Sequence, residues 1–500
     1  MRSSYQFGIF ILFIFFAFIF CMDVFGLDFE DKDSEFMKAY YKSPEPEKVG
    51  AYLEHCLDNG VFSESNGCDL HCKWTGKYFF ARVAQLDPNV LENYQSYYKK
   101  AGLRERLFVL DLFELFCDEQ TKTFLERQKK SAMYEEEQTK IEKVLAIGGV
   151  GDFSAFEIEV DNPGALDFLW TEFFASGNPE AVSRVVDSLS LRENTDPNER
   201  LIAMAARWSL KNMSFEDEYV FAICKGLIEG TEGVKRRELN RIVSDVKILL
   251  SYEKQFDDTD RGKILPINQR REQNKKVEGA KAWALACGAV LNENNHGMHD
   301  HLATEKIDER NVQDQKKLLS EWWGVEDFNS LLENLNWVLQ EGHSKRFDQF
   351  QLLLDIMPPE NYAKLQDKLK DDPAKLFKMH VAENFGKEFR DCSLLGWDYS
   401  RAIMLCRWSY MVGYISEEEA WARIMFFANA LQDIFDSWED LGRNYIIGRQ
   451  FWSMKHSQQG QDDIDDAFQR LIDMKDSPWN KYPWDMNLSD SAIVTAKEGQ

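Results

Sequence analysis

Only 28 glycines and 12 prolines punctuate 500 residues, against a combined share of roughly 12% in average proteins. So few turn formers cannot serve the many tight reversals of a chain built from short strands, and the shortfall favours long helices. Apolar residues make up 44% of the chain and aromatics 13%, enough to fill large cores and to exclude disordered and collagen-like architectures. At about 150 residues per domain, the length points to roughly three units. The charge, 60 Lys and Arg against 85 Asp and Glu, argues against a nucleic-acid partner, because phosphates are gripped by clustered basic side chains.

Residues 7–22, FGIFILFIFFAFIFCM, carry no charge and follow Arg2. A short basic segment before an apolar stretch is the order of an export signal, with cleavage expected after Gly26. Phe20 stands where a lipoprotein signal would place a small residue before Cys21. Retention of residues 7–22 as a membrane anchor is the alternative, although the run is short against the roughly 20 residues of a bilayer span. Asp28, Glu30, Asp31 and Asp33 follow it, so the body of the protein is expected outside the cytoplasm, periplasmic or secreted. No membrane insertion is expected beyond this segment.

Past the signal, Cys117, Cys224, Cys287 and Cys406 sit in apolar helical patterns and read as buried thiols. Cys56, Cys68 and Cys72 lie beside loops, where export permits a disulfide among them. His55 and His71 stand nearby, but the paired C-x2-C knuckles of a zinc site are missing.

The N-terminal half repeats itself. EFMKAYYKSPEPEKVGAYLE and FLWTEFFASGNPEAVSRVVD align with Tyr40-Tyr41 on Phe173-Phe174 and Pro46-Glu47 on Pro179-Glu180. Each copy reads as an aromatic helix, a polar turn and a second helix opened by proline at its first position. A weaker copy, YFFARVAQLDPNVLENY, lies between them. Paired helices of this kind bury their apolar faces by stacking. Residues 119–144 read as a charged helix joining the copies. The expected layout is all-α: signal 1–26, helical-hairpin regions 27–150 and 151–250 in a solenoid-like array, a polar linker at 251–275, a compact helical domain 276–485 and a tail 486–500.

The last of these domains carries a series of motifs in fixed order. Glu293, Asn295, His299, Asp300 and Leu302 come first, then Trp323-Gly324, Glu341-Gly342-His343 and Trp397-Asp398 with Arg401. Arg407-Trp408, Gly413-Tyr414, Glu418-Glu419-Ala420-Trp421, Trp438, Gly442-Arg443, Gly448-Arg449 and Trp452 complete it. The series resembles the bacterial domain of unknown function 1266 family over about residues 278–485. The resemblance implies no particular chemistry, since none is assigned to the family. The export signal and the long N-terminal array depart from its pattern.

Read physically, Ser416 and Glu419 form a capping box, and Gly442, Tyr445, Arg449 and Trp452 make a stripe at helical spacing. Trp397, Arg401 and Trp408 share a face, with Asp398 placed to pair with Arg401. Asp398, Arg401, Arg407, Glu418, Arg443 and Arg449, walled by Trp408, Trp421, Trp438 and Trp452, are therefore the candidate ligand pocket. Arginine offers a bidentate fork and tryptophan a flat wall. The competing reading makes the same residues buried ion pairs and packing knobs. His296, His299 and His301 form an H-x2-H-x-H run that could ligate a metal, with a solvated loop as the simpler reading. Walker, Rossmann, H-E-x-x-H and G-x-S-x-G motifs are absent, and no cofactor is expected. The expected role is an extracytoplasmic binding or scaffolding protein whose helical array meets a protein partner. The alternative is an enzyme, such as a hydrolase with Asp398 or Glu418 as acid/base, or a small-anion-binding protein using the Asp/Arg/Trp pocket.

Overall fold

Among the residues that the computed structural model describes, every regular element is a helix. These residues are 31–63, 66, 68–147, 155–256, 260–453 and 458–488. One isolated bridge, between Lys276 and His301, is the only extended pairing among them. The export signal and the candidate anchor at 7–22 lie outside the described residues. Among those described, no helix is long and apolar enough to cross a membrane.

The chain divides into two compact units at Asn240 and Arg241. In the first, proline stands at the first turn of the helices Pro46–Asp58 and Pro179–Asp187, where its missing N–H costs nothing. The aromatic helices before them are Asp31–Ala39, extended by a 3-10 turn Tyr40–Lys42, and Ala165–Ser176. The two copies meet directly, since the Tyr41 ring lies 4.5 Å from that of Phe173. Tyr41 also lies against Gly177, which ends its helix at φ +67°, a conformation only glycine adopts cheaply. In the weaker copy Pro88 lies in the turn before Val90–Lys100 rather than inside the helix. The charged stretch 119–144 is two helices, Glu119–Lys129 and Glu135–Ile147. They part at Ser131, whose hydroxyl donates back to the Gln128 carbonyl and competes with the helix ladder. Two buried carboxylates of this unit are held by hydrogen bonds: Tyr78 and Arg82 donate to Glu172, and Tyr98 and Arg106 to Glu137. Cys68 and Cys72 are joined by a disulfide, while Cys56 is buried in the helix Pro46–Asp58.

The segment expected as a linker, 251–275, belongs to the second unit. Its first residues complete the helix Gly233–Gln255. Arg270 is buried, donating to the carbonyls of Leu265 and Met411.

The second unit is built round the helix Leu395–Val412, whose residues from Gly396 to Val412 are all buried. A helix covered on every side must satisfy its polar groups internally. Ser400 accordingly donates to the Cys287 carbonyl at 2.7 Å. Gly413 closes the helix at φ +84°. Against this axis pack Glu309–Trp323, Phe328–Gln340, Glu417–Ile434 and Trp438–Trp452, among others. Ser416 caps Glu417–Ile434 by accepting the Glu419 N–H, but the Glu419 carboxylate accepts from Arg423 instead of returning to the cap. Half of the expected capping box is therefore present, because a buried guanidinium is the stronger partner.

Candidate functional site

Asp398 lies in the first turn of the central helix and is fully buried. It accepts the backbone N–H groups of His343 and Ser344 at 2.9 Å each, and the Ser344 hydroxyl at 2.7 Å. A carboxylate from one helix thus caps the N-terminus of another, Gly342–Ile356. Its second oxygen accepts from Arg401 Nη2 at 2.8 Å. Burial alone would raise the Asp398 carboxyl, but contacts with His343, Arg401 and Ser344 outweigh it and hold the group below its ordinary range.

Arg401 Nη2 also lies 2.9 Å from His343 Nδ1. Asp398 Oδ1 lies 3.3 Å from the same nitrogen, so Nδ1 sits between an obligate donor and an obligate acceptor and is engaged in either ring tautomer. Burial and the Arg401 charge lower the His343 pKa more than Asp398 raises it, which keeps the imidazole neutral. Nδ1 being taken, Nε2 is the nitrogen left for the cavity that His343 helps to line.

That cavity measures about 630 Å³, within the usual size of small-molecule sites. Its walls are aromatic: Trp322, Trp323, Trp337, Trp397, Trp408, Tyr445 and Trp452. Arg401, Arg449, His343, Asn294, Asn295, Asn334 and Asp463 supply polar groups, and Leu291, Leu318 and Ile464 fill the remainder. Trp397 and Tyr445 form its floor, their rings 4.8 Å apart and both nearly inaccessible to solvent. The Arg401 guanidinium lies 4.3 Å from the Trp397 ring centroid, and that of Arg449 lies 4.7 Å from Trp452. Gly448 makes this approach feasible, because a Cβ there would overlap the Trp397 side chain.

Three polar atoms of this lining are buried without a hydrogen-bond partner among the described residues: Trp397 Nε1, the Tyr445 hydroxyl and Arg449 Nη1. Other tryptophans of the same unit behave differently. The indole N–H groups of Trp283, Trp438, Trp479 and Trp484 donate to the carbonyls of Pro483, Tyr482, Ala286 and Phe435, at 2.8–3.0 Å. The packing tryptophans are satisfied, and the cavity tryptophan at the floor is not.

Of the ten residues expected to form the pocket, Arg401, Trp408, Arg449 and Trp452 line the cavity, with Asp398 directly behind Arg401. The other five are elsewhere. Arg407 is buried and donates to the carbonyls of Leu302, Met298 and His301, holding a loop. Arg443 pairs with Glu388 in an exposed setting, and Trp438 stacks on Trp479. Glu418 is exposed in the first turn of its helix, and Trp421 lies under Lys281. Gly442 abuts Phe468 and Trp479, leaving the Tyr445–Arg449–Trp452 part of the stripe to face the cavity.

The histidine loop does not converge. His299 donates from Nε2 to Glu293, which also accepts from Arg470, while His301 pairs with Asp300. Among the described residues no group of three or more His, Cys, Asp or Glu side chains is arranged to hold a metal ion. Within the alternative metal run His296, His299 and His301, the rings of His299 and His301 are each engaged by a carboxylate.

Sequence reasoning placed Trp323, His343 and Trp397 in the family-like motifs without assigning them to the pocket, and it missed Trp322, Trp337 and Tyr445 as walls. Their signal was the clustering of motif tryptophans at helix ends, as in Trp322-Trp323-Gly324 and Gly396-Trp397.

Residues 318–484 match the family described as Protein of unknown function (DUF1266). The match contains the central helix and most of the cavity lining. It begins after the expected elements at Glu293, Asn295, His299, Asp300 and Leu302. The chain is also similar to the uncharacterized protein YbeR of Escherichia coli (strain K12), 26% identical over 137 residues. That similarity covers 27% of this chain and 56% of YbeR, so the chain spans little more than half of that relative. No solved structure matches the chain.

Proposed function

We propose that the second unit is a small-molecule receptor and that its ligand occupies the tryptophan-walled cavity. The observation that carries this reading is that Trp397, Tyr445 and Arg449, which line one cavity, each hold a buried polar atom without a partner among the described residues: Nε1, the hydroxyl and Nη1. Leaving a polar group buried and unbonded costs about 1–3 kcal/mol. Three such groups around one space are accounted for if a ligand completes them. The enzyme alternative has less support. Asp398 spends its oxygens on a helix N-terminus and Arg401, and Glu418 stands away from the cavity.

The experiment is retention. The full chain, purified without denaturation, is extracted and its small molecules identified by mass spectrometry, alongside Trp397→Phe and Arg449→Met variants. A compound held by the wild type and lost from both variants supports the receptor. If the wild type carries nothing and a broad metabolite panel leaves its thermal midpoint unmoved, the receptor reading fails.

We further propose that the protein works outside the cytoplasm. The charge-free run at 7–22 after Arg2 supports this, as does the Cys68–Cys72 disulfide, a bond favoured in oxidising compartments. Recovery of the chain in the cytosolic fraction with both thiols reduced would count decisively against it.

A further inference from the structure

Resting on the receptor reading, we propose that the ligand is an anion with a flat, unsaturated body. Its oxyanion is held by Arg449, Tyr445 and Trp397, and its body lies between the indoles.

The charge of the buried lining leads to this class. Arg401 is neutralised by Asp398 at 2.8 Å. Burial and the Arg401 charge lower the His343 pKa and so disfavour a charge on its ring. Asp463 is exposed, at the solvent side of the lining. Arg449 remains. No ion pair among the described residues involves it, and partial burial lowers its pKa. The unit's other buried or partnered arginines show how unusual this is: Arg407 has three carbonyls, Arg423 has Glu419 and Arg443 has Glu388. A partly buried guanidinium whose Nη1 has no oxygen partner is suited to an anion. It also repels a cationic ligand, which excludes the quaternary-ammonium class that aromatic boxes otherwise suit.

The donor inventory points the same way. Indole N–H and guanidinium can only donate, and the Tyr445 hydroxyl can do so, so the ligand must bring acceptor oxygens. The Arg449 guanidinium lies over the Trp452 ring at 4.7 Å, and a guanidinium offers the planar fork that suits a carboxylate. Much of the remaining lining is ring surface, including Trp323 and Trp408, interspersed with three asparagines and with Leu291, Leu318 and Ile464. Such walls favour a planar body of limited thickness.

The test uses isothermal titration calorimetry of the full chain with 2-naphthoate, 2-naphthamide and 2-(aminomethyl)naphthalene, which share one body and differ in charge. The expected result is at least tenfold tighter binding of the naphthoate than of the amide, with no binding of the amine. Arg449→Met should abolish the preference, and Arg449→Lys, which keeps charge without the fork, should retain part of it. Circular dichroism confirms that the variants fold. Equal affinity for naphthoate and amide, tighter binding of the amine, or unchanged naphthoate binding by Arg449→Met overturns the anion assignment. The first two of these leave a working receptor of another specificity. Failure of all three probes overturns the flat-body assignment, and the retention experiment separately decides whether there is a receptor at all.

Discussion

Gly342 and Asp398 fit each other at the point where one helix begins against the flank of another. Gly342 has φ +55°, and a Cβ on it would overlap Asp398 Oδ2 and lie 2.9 Å from Cγ. The bare glycine lets the His343 and Ser344 amides reach the carboxylate. Gly342→Ala should therefore cost about 1–3 kcal/mol from backbone strain alone, with further loss from displacing the cap. Asp398→Ala should cost more, about 3–5 kcal/mol, because Arg401 is left as an uncompensated buried charge. Urea denaturation of both variants checks the ranking. An Asp398→Ala protein as stable as the wild type would show that the pair is dispensable.

The histidines set an acid limit on stability. Burial lowers the pKa of His343 and also of His299. A base whose folded pKa is depressed takes up its proton more readily when unfolded. The stability it contributes is present above the unfolded value of about 6.5 and is lost as pH falls through the folded value. Asp398, also depressed, adds a second loss below about pH 4. His71 acts in the opposite sense, its pKa raised by the Asp167 hydrogen bond, so its contribution is retained in acid and lost as pH rises through its folded value. The thermal midpoint should fall between pH 7 and pH 5, and His343→Gln should flatten part of that fall. A variant with an unchanged profile would place the loss elsewhere.

The helical class was legible because glycine, proline and strand alternation are scarce together, and the proline-opened helices were legible because position one is where proline is tolerated. The Asp398–Arg401 pair followed from i,i+3 spacing, and Tyr445, Arg449 and Trp452 from the helical stripe. Arg407 was out of reach. It shares the helix Leu395–Val412 with Arg401, and only the fold brings the carbonyls of Met298, His301 and Leu302 to it. Trp438 and Trp421 likewise read like cavity walls until long-range packing separates them. Short-range periodicity fixes which face a side chain occupies, but not what that face meets.

Gly448 should tolerate no side chain. Its position would drive a Cβ into Trp397, the floor of the cavity. Gly448→Ala is expected to destabilise by about 1–3 kcal/mol, the usual range for overpacking, despite alanine's better helix propensity. Moving Trp397 should also change the near-UV circular dichroism while leaving the far-UV signal intact. A stabilised variant with an unaltered aromatic spectrum would mean that the two helices part without consequence.

Arg401 and Arg449 face the same cavity, yet their removal should have opposite effects on the unliganded protein. Arg401 is matched by Asp398, so Arg401→Met leaves a fully buried carboxylate without its cation and should cost about 3–5 kcal/mol. Arg449 has no such counterpart, and its Nη1 is buried without a partner among the described residues. Replacing it with methionine keeps the apolar contact with Trp452 and relieves an uncompensated charge. Arg449→Met is thus expected to leave the thermal midpoint of ligand-free protein unchanged or to raise it by a few degrees, the usual sign that a residue is kept for function at some cost to stability. Differential scanning calorimetry of the two variants, each stripped of bound molecules by refolding, reads both signs at once. A large loss of stability in Arg449→Met would mean that the guanidinium already serves the fold, and the space before it would then need no anion.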